Sequence, residues 1–260
     1  MVKGLEVLTD MEYPGRFIIL GKSHKSENVA IYVITGRSLS SQARKLVLNQ
    51  TSYDSGYINL EPTDEDILKK GNPDLLLYNA IMVQKRFICI SNGKQTDRIL
   101  DYCSHNRSAI NTLVKALLGF DYEPDPSYTP RISGCMNIDS AALSIIKRAE
   151  DGSSFRNYFE VPLINGRGKM ISTYTGVNKD PLSSFIGEPL DVGIEWDNPL
   201  DAIIAVYESL EPKKDKDDFR VCVGAVYYNL GNEKEDMELD MKIQNRCDLT
   251  TVDEKNMGEV

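Results

Sequence analysis

The residues able to do chemistry in this chain of 260 residues stand in short polar motifs at the ends of apolar runs. In chain order these are Tyr13-Pro14-Gly15-Arg16, Thr35-Gly36-Arg37-Ser38, Tyr78-Asn79, Ser91-Asn92-Gly93, Gln95-Thr96-Asp97, Asp121-Tyr122-Glu123, Thr129-Pro130-Arg131 and Ser172-Thr173-Tyr174. Arginine, tyrosine and carboxylate groups bind anions and move protons. Singly, each motif also has a structural account: Asn92-Gly93 and Pro14-Gly15 make turns, Asp97 caps a helix, and Arg37 is a solvated charge. The sequence contains no P-loop, no HExxH and no GxGxxG, and Gly36-Arg37-Ser38-Leu39-Ser40 lacks the second glycine of a nucleophile elbow. Its two histidines, His24 and His105, lie in polar stretches, which disfavours a Ser-His-Asp hydrolase.

The elements that must position these motifs read as an α+β order. Phe17 to Lys22 and Val29 to Thr35 are β-rich runs around a polar turn, an antiparallel pair. Gly56 to Leu60, Leu75 to Val83 and Arg86 to Ser91 follow as strands. Apolar spacings of three and four then predict helices over Gln95 to Cys103 and Ser108 to Leu118, the first capped by Thr96 or Asp97, the second begun by Arg107 or Ser108. Three prolines make Asp121 to Pro130 a loop. Strands are expected again over Arg131 to Ile138, Ala142 to Arg148, Asn157 to Ile164 and Lys169 to Tyr174, with Asn165-Gly166 as a hairpin turn between the last two. A helix over Pro199 to Leu210 and a strand over Phe219 to Tyr228 complete a single domain spanning 1–230. Residues 231–260 read as an acidic, loosely structured end.

Lys and Arg number 30 against 39 Asp and Glu, a net charge of -9, so the molecule's field repels polyanions and argues against a nucleic-acid partner. From Glu233 onward nine acids face four bases, so that end carries much of the excess and leaves room for a local basic pocket. The five cysteines are odd in number and widely spaced, which favours reduced, mostly buried thiols over a zinc or redox motif. No apolar stretch is long enough to span a bilayer, and Met1 to Gly15 do not have a signal-peptide pattern; a cytoplasmic protein is expected.

Together, and in order from Tyr13 to Tyr174, the motifs resemble those of the archaeal-type IMP cyclohydrolase family: the Pro14-Gly15-Arg16 start, the Arg37-Ser38 turn after the second strand, Tyr78-Asn79, Ser91-Asn92-Gly93 with Thr96-Asp97 following, Asp121-Tyr122-Glu123 and Thr129-Pro130-Arg131. The residues before Tyr13, the region after Tyr174 and the acidic end depart from the family pattern. The resemblance implies a four-layer αββα sandwich like that of the N-terminal nucleophile hydrolases, two antiparallel sheets with outer helices. It implies closure of a purine ring, in which the carboxamide nitrogen of 5-formamidoimidazole-4-carboxamide ribotide attacks the neighbouring formyl carbon and water leaves to give IMP. Nucleophile and electrophile share one molecule, so the family chemistry requires no metal or other cofactor.

By the same resemblance Arg37, Tyr78, Glu123 and Tyr174 form the catalytic centre. Arg16, Arg44 and Arg131 with Ser38, Asn92 and Gly93 are the candidates for the 5′-phosphate, and Asn79, Thr96 and Asp97 for further substrate contacts, the last two to the ribose. The expected partner is a purine ribonucleotide, with neither nucleic acid nor membrane, and symmetric dimers are the commonest assembly for a protein of this kind. Two other readings stand beside this one. A non-catalytic purine-nucleotide-binding protein would keep the pocket without the proton relay, and a related cyclic amidohydrolase would act on another heterocycle.

Overall fold

A computed structural model describes residues 4–103, 108–124, 126–229 and 237–249. Its strands are β1 (Arg16–Lys22), β2 (Asn28–Thr35), β3 (Arg44–Ser52), β4 (Ser55–Pro62), β5 (Asn79–Gln84), β6 (Phe87–Ser91), β7 (Arg131–Met136), β8 (Ala141–Arg148), β9 (Ser154–Val161), β10 (Arg167–Ser172), β11 (Leu190–Gly193), β12 (Arg220–Asn229) and β13 (Glu238–Asn245). The helices are α1 (Glu6–Thr9), α2 (Leu39–Gln42), α3 (Glu65–Leu68), α4 (Pro73–Leu76), α5 (Gln95–Cys103), α6 (Ala109–Ala116) and α7 (Pro199–Ser209). Two antiparallel sheets result: six strands ordered β11-β10-β1-β2-β12-β13, and seven running in sequence from β3 to β9.

Side-chain alternation along each strand decides the layers. In β1 and β2, Ile18, Leu20, Ala30, Tyr32 and Ile34 meet Leu46, Ile58, Ile81, Ile90 and Leu143 of the facing sheet. The opposite set, Phe17, Ile19, Val29, Ile31 and Val33, packs under Ala202, Ile203 and Val206 of α7. Burial on both faces explains why these strands read as unbroken apolar runs. On the far side, Cys89, Cys135, Ala142 and Ile146 of the second sheet lie under Ile99, Ala109 and Leu113 of α5 and α6. Each fully buried Ile or Phe contributes about 1.5–3 kcal/mol. Among the described residues no helix is long and apolar enough to cross a membrane.

Four expectations are corrected. The run Leu75 to Val83 is not one strand: Asn72 accepts a hydrogen bond from the Asp74 amide at 3.1 Å and Pro73 occupies the first helical turn, so α4 forms before β5 begins. Thr96 and Asp97 lie inside α5 rather than capping it, whereas Ser108 does cap α6, its side chain accepting from the Asn111 amide; Arg107 lies outside the described residues. Asn165-Gly166 does not join a hairpin, because β9 and β10 belong to different sheets. The turn carries the chain from one layer to the other, with the Gly166 amide donating to the Lys22 carbonyl at 2.9 Å. Finally, the acidic end is not loose throughout. Leu239, Met241 and Ile243 alternate with polar residues, and β13 pairs with β12 from Cys222↔Asn245 to Asn229↔Glu238, giving the apolar β12 a neighbour on its open side.

Buried tyrosines give the fold an alkaline limit. Burial raises the Tyr32, Tyr227 and Tyr228 phenols above their ordinary range, Tyr228 to about 12. With the folded values raised, the unfolded chain loses these protons first, so their contribution is complete below about pH 10 and is lost as pH climbs towards the folded values. The melting temperature is expected to fall above about pH 10, with tyrosinate absorbance appearing together with unfolding. Tyrosinate forming well before the melt would contradict this.

Candidate active site

Antiparallel pairing brings the starts of β1 and β7 and the ends of β2, β8 and β10 to one edge of the sandwich, as the registers Arg16↔Ile34, Phe17↔Ser172 and Arg131↔Ile146 require. A cavity of about 930 Å³ opens there. Arg16, Arg37, Ser38, Arg44, Glu123 and Tyr174 all line it.

At its base the Arg16 guanidinium donates to Glu123 Oε1 at 3.1 Å, with side-chain exposures of 10% and 6%. Burial opposes the charge on Arg16, but Glu123, with Tyr78, Tyr32 and Tyr174 after it, more than offsets this and raises the arginine well above its ordinary value. The Glu123 amide donates to the Thr129 carbonyl at 2.9 Å, closing the proline-rich loop around the carboxylate. Thr129 Oγ1 in turn stands 3.0 Å from the Tyr174 hydroxyl.

Tyr174 stacks on Tyr13, ring centroids 5.8 Å apart, and the Arg37 guanidinium lies 5.3 Å from the Tyr13 centroid. Burial, reinforced by Tyr174, raises the Tyr13 phenol despite the nearby arginines. Gly15 makes this stack fit: its φ is +74°, and a Cβ there would stand 2.6 Å from the Tyr174 ring. Arg37 also reaches across the mouth, donating to Asp180 Oδ1 at 2.8 Å and Asn178 Oδ1 at 3.1 Å.

Arg44 is buried and has no carboxylate partner among the described residues. Its Nε donates to the Ser41 carbonyl at 3.0 Å and one terminal nitrogen to the Leu76 carbonyl at 3.3 Å. Lys70 and Arg148 complete the cationic wall, so that among the described residues Arg16, Arg37, Arg44, Lys70 and Arg148 face two carboxylates, Glu123 and Asp180. In a chain of net charge -9 this is a local reversal of sign.

The other expected site residues stand outside the lining. Tyr78 is buried behind it, its hydroxyl 2.7 Å from that of Tyr32, within electrostatic reach of Arg16. Asn79 donates to Asp97 at 2.7 Å. Asn92 is committed to the backbone, donating to the Pro130 carbonyl and accepting from the Ile132 amide, both at 2.9 Å. Thr96 is held by Ser91 and the Gly93 carbonyl, and Gly93 leaves room for Gln95 and Arg131, which a Cβ would crowd at 2.6 and 2.8 Å. Arg131 donates to the Asp121 carbonyl at 2.8 Å and to Gln95 at 3.2 Å. Asn92 and Arg131 thus brace the loop that carries Glu123, whereas Tyr78, Asn79 and Thr96 are engaged with other residues of the fold. His105 lies outside the described residues.

Sequence reasoning had not assigned Tyr13, Lys70, Thr129, Arg148 or Asp180 to the site. Tyr13 and Thr129 were visible at the edges of recognised motifs, whereas Lys70, Arg148 and Asp180 carry no local signal.

The comparisons with known proteins bear on the same span. The family model of IMP cyclohydrolase-like proteins matches residues 13–233. IMP cyclohydrolase of Methanococcus aeolicus is 30% identical over 162 residues, 62% of this chain and 74% of that protein. IMP cyclohydrolase of Methanothrix thermoacetophila is 30% identical over 172 residues, 66% of this chain and 78% of its own. IMP cyclohydrolase of Methanocaldococcus jannaschii is 26% identical over 199 residues, 76% and 89% of the two chains. The matched span takes in every residue lining the cavity, from Tyr13 to Ser184, and on that match the chain belongs to the family of IMP cyclohydrolase-like proteins.

Proposed function

We infer that this chain is an IMP cyclohydrolase, closing the purine ring of 5-formamidoimidazole-4-carboxamide ribotide with loss of water. The observation that carries the reading beyond family membership is the cationic cavity in an acidic chain, among the described residues five cationic side chains against two carboxylates. An anionic small molecule suits that wall, and the volume of about 930 Å³ falls within the range of ligand sites. Helices outside two facing antiparallel sheets also support an N-terminal nucleophile hydrolase type of fold.

Glu123, fixed by Arg16, takes the proton from the carboxamide nitrogen as that nitrogen bonds to the formyl carbon. Arg37 faces the oxyanion that develops on the formyl oxygen, and Tyr174 donates to that oxygen as it leaves in water. Arg44, with Lys70 and Ser38 near it, holds the phosphate. Tyr78 acts from behind Arg16 as a proton relay through its pair with Tyr32.

The test is to add the formylated ribotide and follow the purine chromophore. Turnover establishes the activity; absence of turnover combined with thermal stabilisation by IMP would transfer the protein to the nucleotide-binding reading. Tyr78→Phe is expected to lower kcat by about 10²-fold. Tyr32→Phe breaks the same hydroxyl pair and should lower kcat comparably; unchanged turnover in both variants would mark Tyr78 as structural.

A further inference from the structure

Three thiols meet on the opposite face of the second sheet, away from the cavity. Cys103, the last residue of α5, places its sulfur 3.3 Å from that of Cys89 on β6 and 3.7 Å from that of Cys135 on β7. Cys89 and Cys135 are direct cross-strand partners, and all three side chains are buried. Their shell is apolar, with Ile99, Leu113, Ala142 and Ile146 around them.

This shell discriminates between the chemistries open to a thiol cluster. A metal held by three thiolates would leave net negative charge in an apolar interior. Zinc would also need a fourth ligand, and among the described residues the cluster contains the three cysteines. A disulfide is neutral, and needs the Cys89 and Cys103 sulfurs to close from 3.3 Å to about 2 Å.

We propose that Cys103 and Cys89 form a reversible oxidation site, closing to a disulfide when hydrogen peroxide reaches the cluster. Cys103 is the nucleophile: it is the sulfur shared by both neighbours, and hydrogen bonds from the Cys135 and Cys89 thiols lower it below the ordinary thiol range despite burial. Its sulfur attacks one peroxide oxygen, the O–O bond breaks, and the departing hydroxide takes a proton to become water. The Cys89 sulfur then displaces the remaining oxygen of the sulfenic acid as a second water while the S–S bond forms. Two thiols and one peroxide thus give one disulfide and two waters. The bond ties the end of α5 to β6, whereas Gln95, which accepts from Arg131 beside the active-site loop, sits at the helix's other end. Turnover is therefore expected to persist.

The experiment treats the full chain with hydrogen peroxide in its native state, then denatures it, alkylates free thiols and maps the peptides. The expected result is loss of two of the five thiols and a Cys89–Cys103 cross-link, reversed by dithiothreitol. The cross-link should persist in Cys135→Ser, vanish in Cys103→Ser and raise the melting temperature of the wild type. Melting of both variants establishes that they are folded, and the wild-type map decides the question by itself. Five alkylatable thiols after treatment, a Cys89–Cys135 link, sulfinic acid at Cys103 without a link, or a native mass increased by a bound metal would each overturn the proposal.

Discussion

Glu123→Gln is expected to lower kcat by about 10³-fold, the middle of what a positioned general base contributes. The amide keeps an oxygen for Arg16 to donate to, so the geometry at 3.1 Å is preserved while the proton acceptor is removed. Losing the charge also leaves the buried Arg16 without its counter-ion, at a stability cost of about 3 kcal/mol. For a chain of this size that lowers the melting temperature by about 6–12 °C. The assay must therefore run well below the variant's melt, with near-native circular dichroism as the control. Glu123→Asp restores the charge but shortens the reach, and should recover part of the rate and most of the stability. A Glu123→Gln protein that turns over at the wild-type rate would remove Glu123 from the chemistry and leave it a counter-ion for Arg16.

Arg44→Met should act on binding. The methionine replaces the buried stem and removes the charge, so a phosphate would lose one or two charge-assisted hydrogen bonds, each about 1.5–3 kcal/mol. One such bond corresponds to a rise in KM of about 10–100-fold. Because the phosphate is remote from the reacting atoms, kcat should change little, the pattern of an interaction made equally in ground and transition states. The dephosphorylated ribonucleoside supplies the second leg of a cycle: wild type and Arg44→Met should handle it alike, since the partner of the arginine is gone. A fall in kcat at unchanged KM, or the same penalty with the nucleoside, would place Arg44 elsewhere in the mechanism.

Helix and strand periods were readable wherever a single face decides the pattern. The β1–β2 pair, the spacing of α5 and α6, the Ser108 cap, the loop beneath α6 and helix α7 all follow from local residue order. Strands β3 and β11 escaped because Arg44–Ser52 mixes polar and apolar residues and Leu190–Gly193 is short; each becomes a strand by pairing with a neighbour already in place. Strand β13 did carry a signal in Leu239, Met241 and Ile243, but the surrounding acids masked it, and its partner β12 made the pairing favourable.

The site divides in the same way. Residue order alone determined the motif chemistry: the arginines, tyrosines and carboxylate and the turn at Gly15. Which of those motifs share a cavity was a tertiary decision. Arg16 meets Glu123 across 107 positions, Arg37 meets Asp180 across 143, and Arg148 arrives on a different sheet from Arg16. The fold satisfies the polar groups of Asn92 and Thr96 internally and, among the described residues, leaves Arg44 without a counter-charge at the cavity wall. The physical reason is that residue type sets what a group can donate, accept or carry, whereas its availability depends on long-range pairing that takes up some of those valences and leaves others facing the ligand.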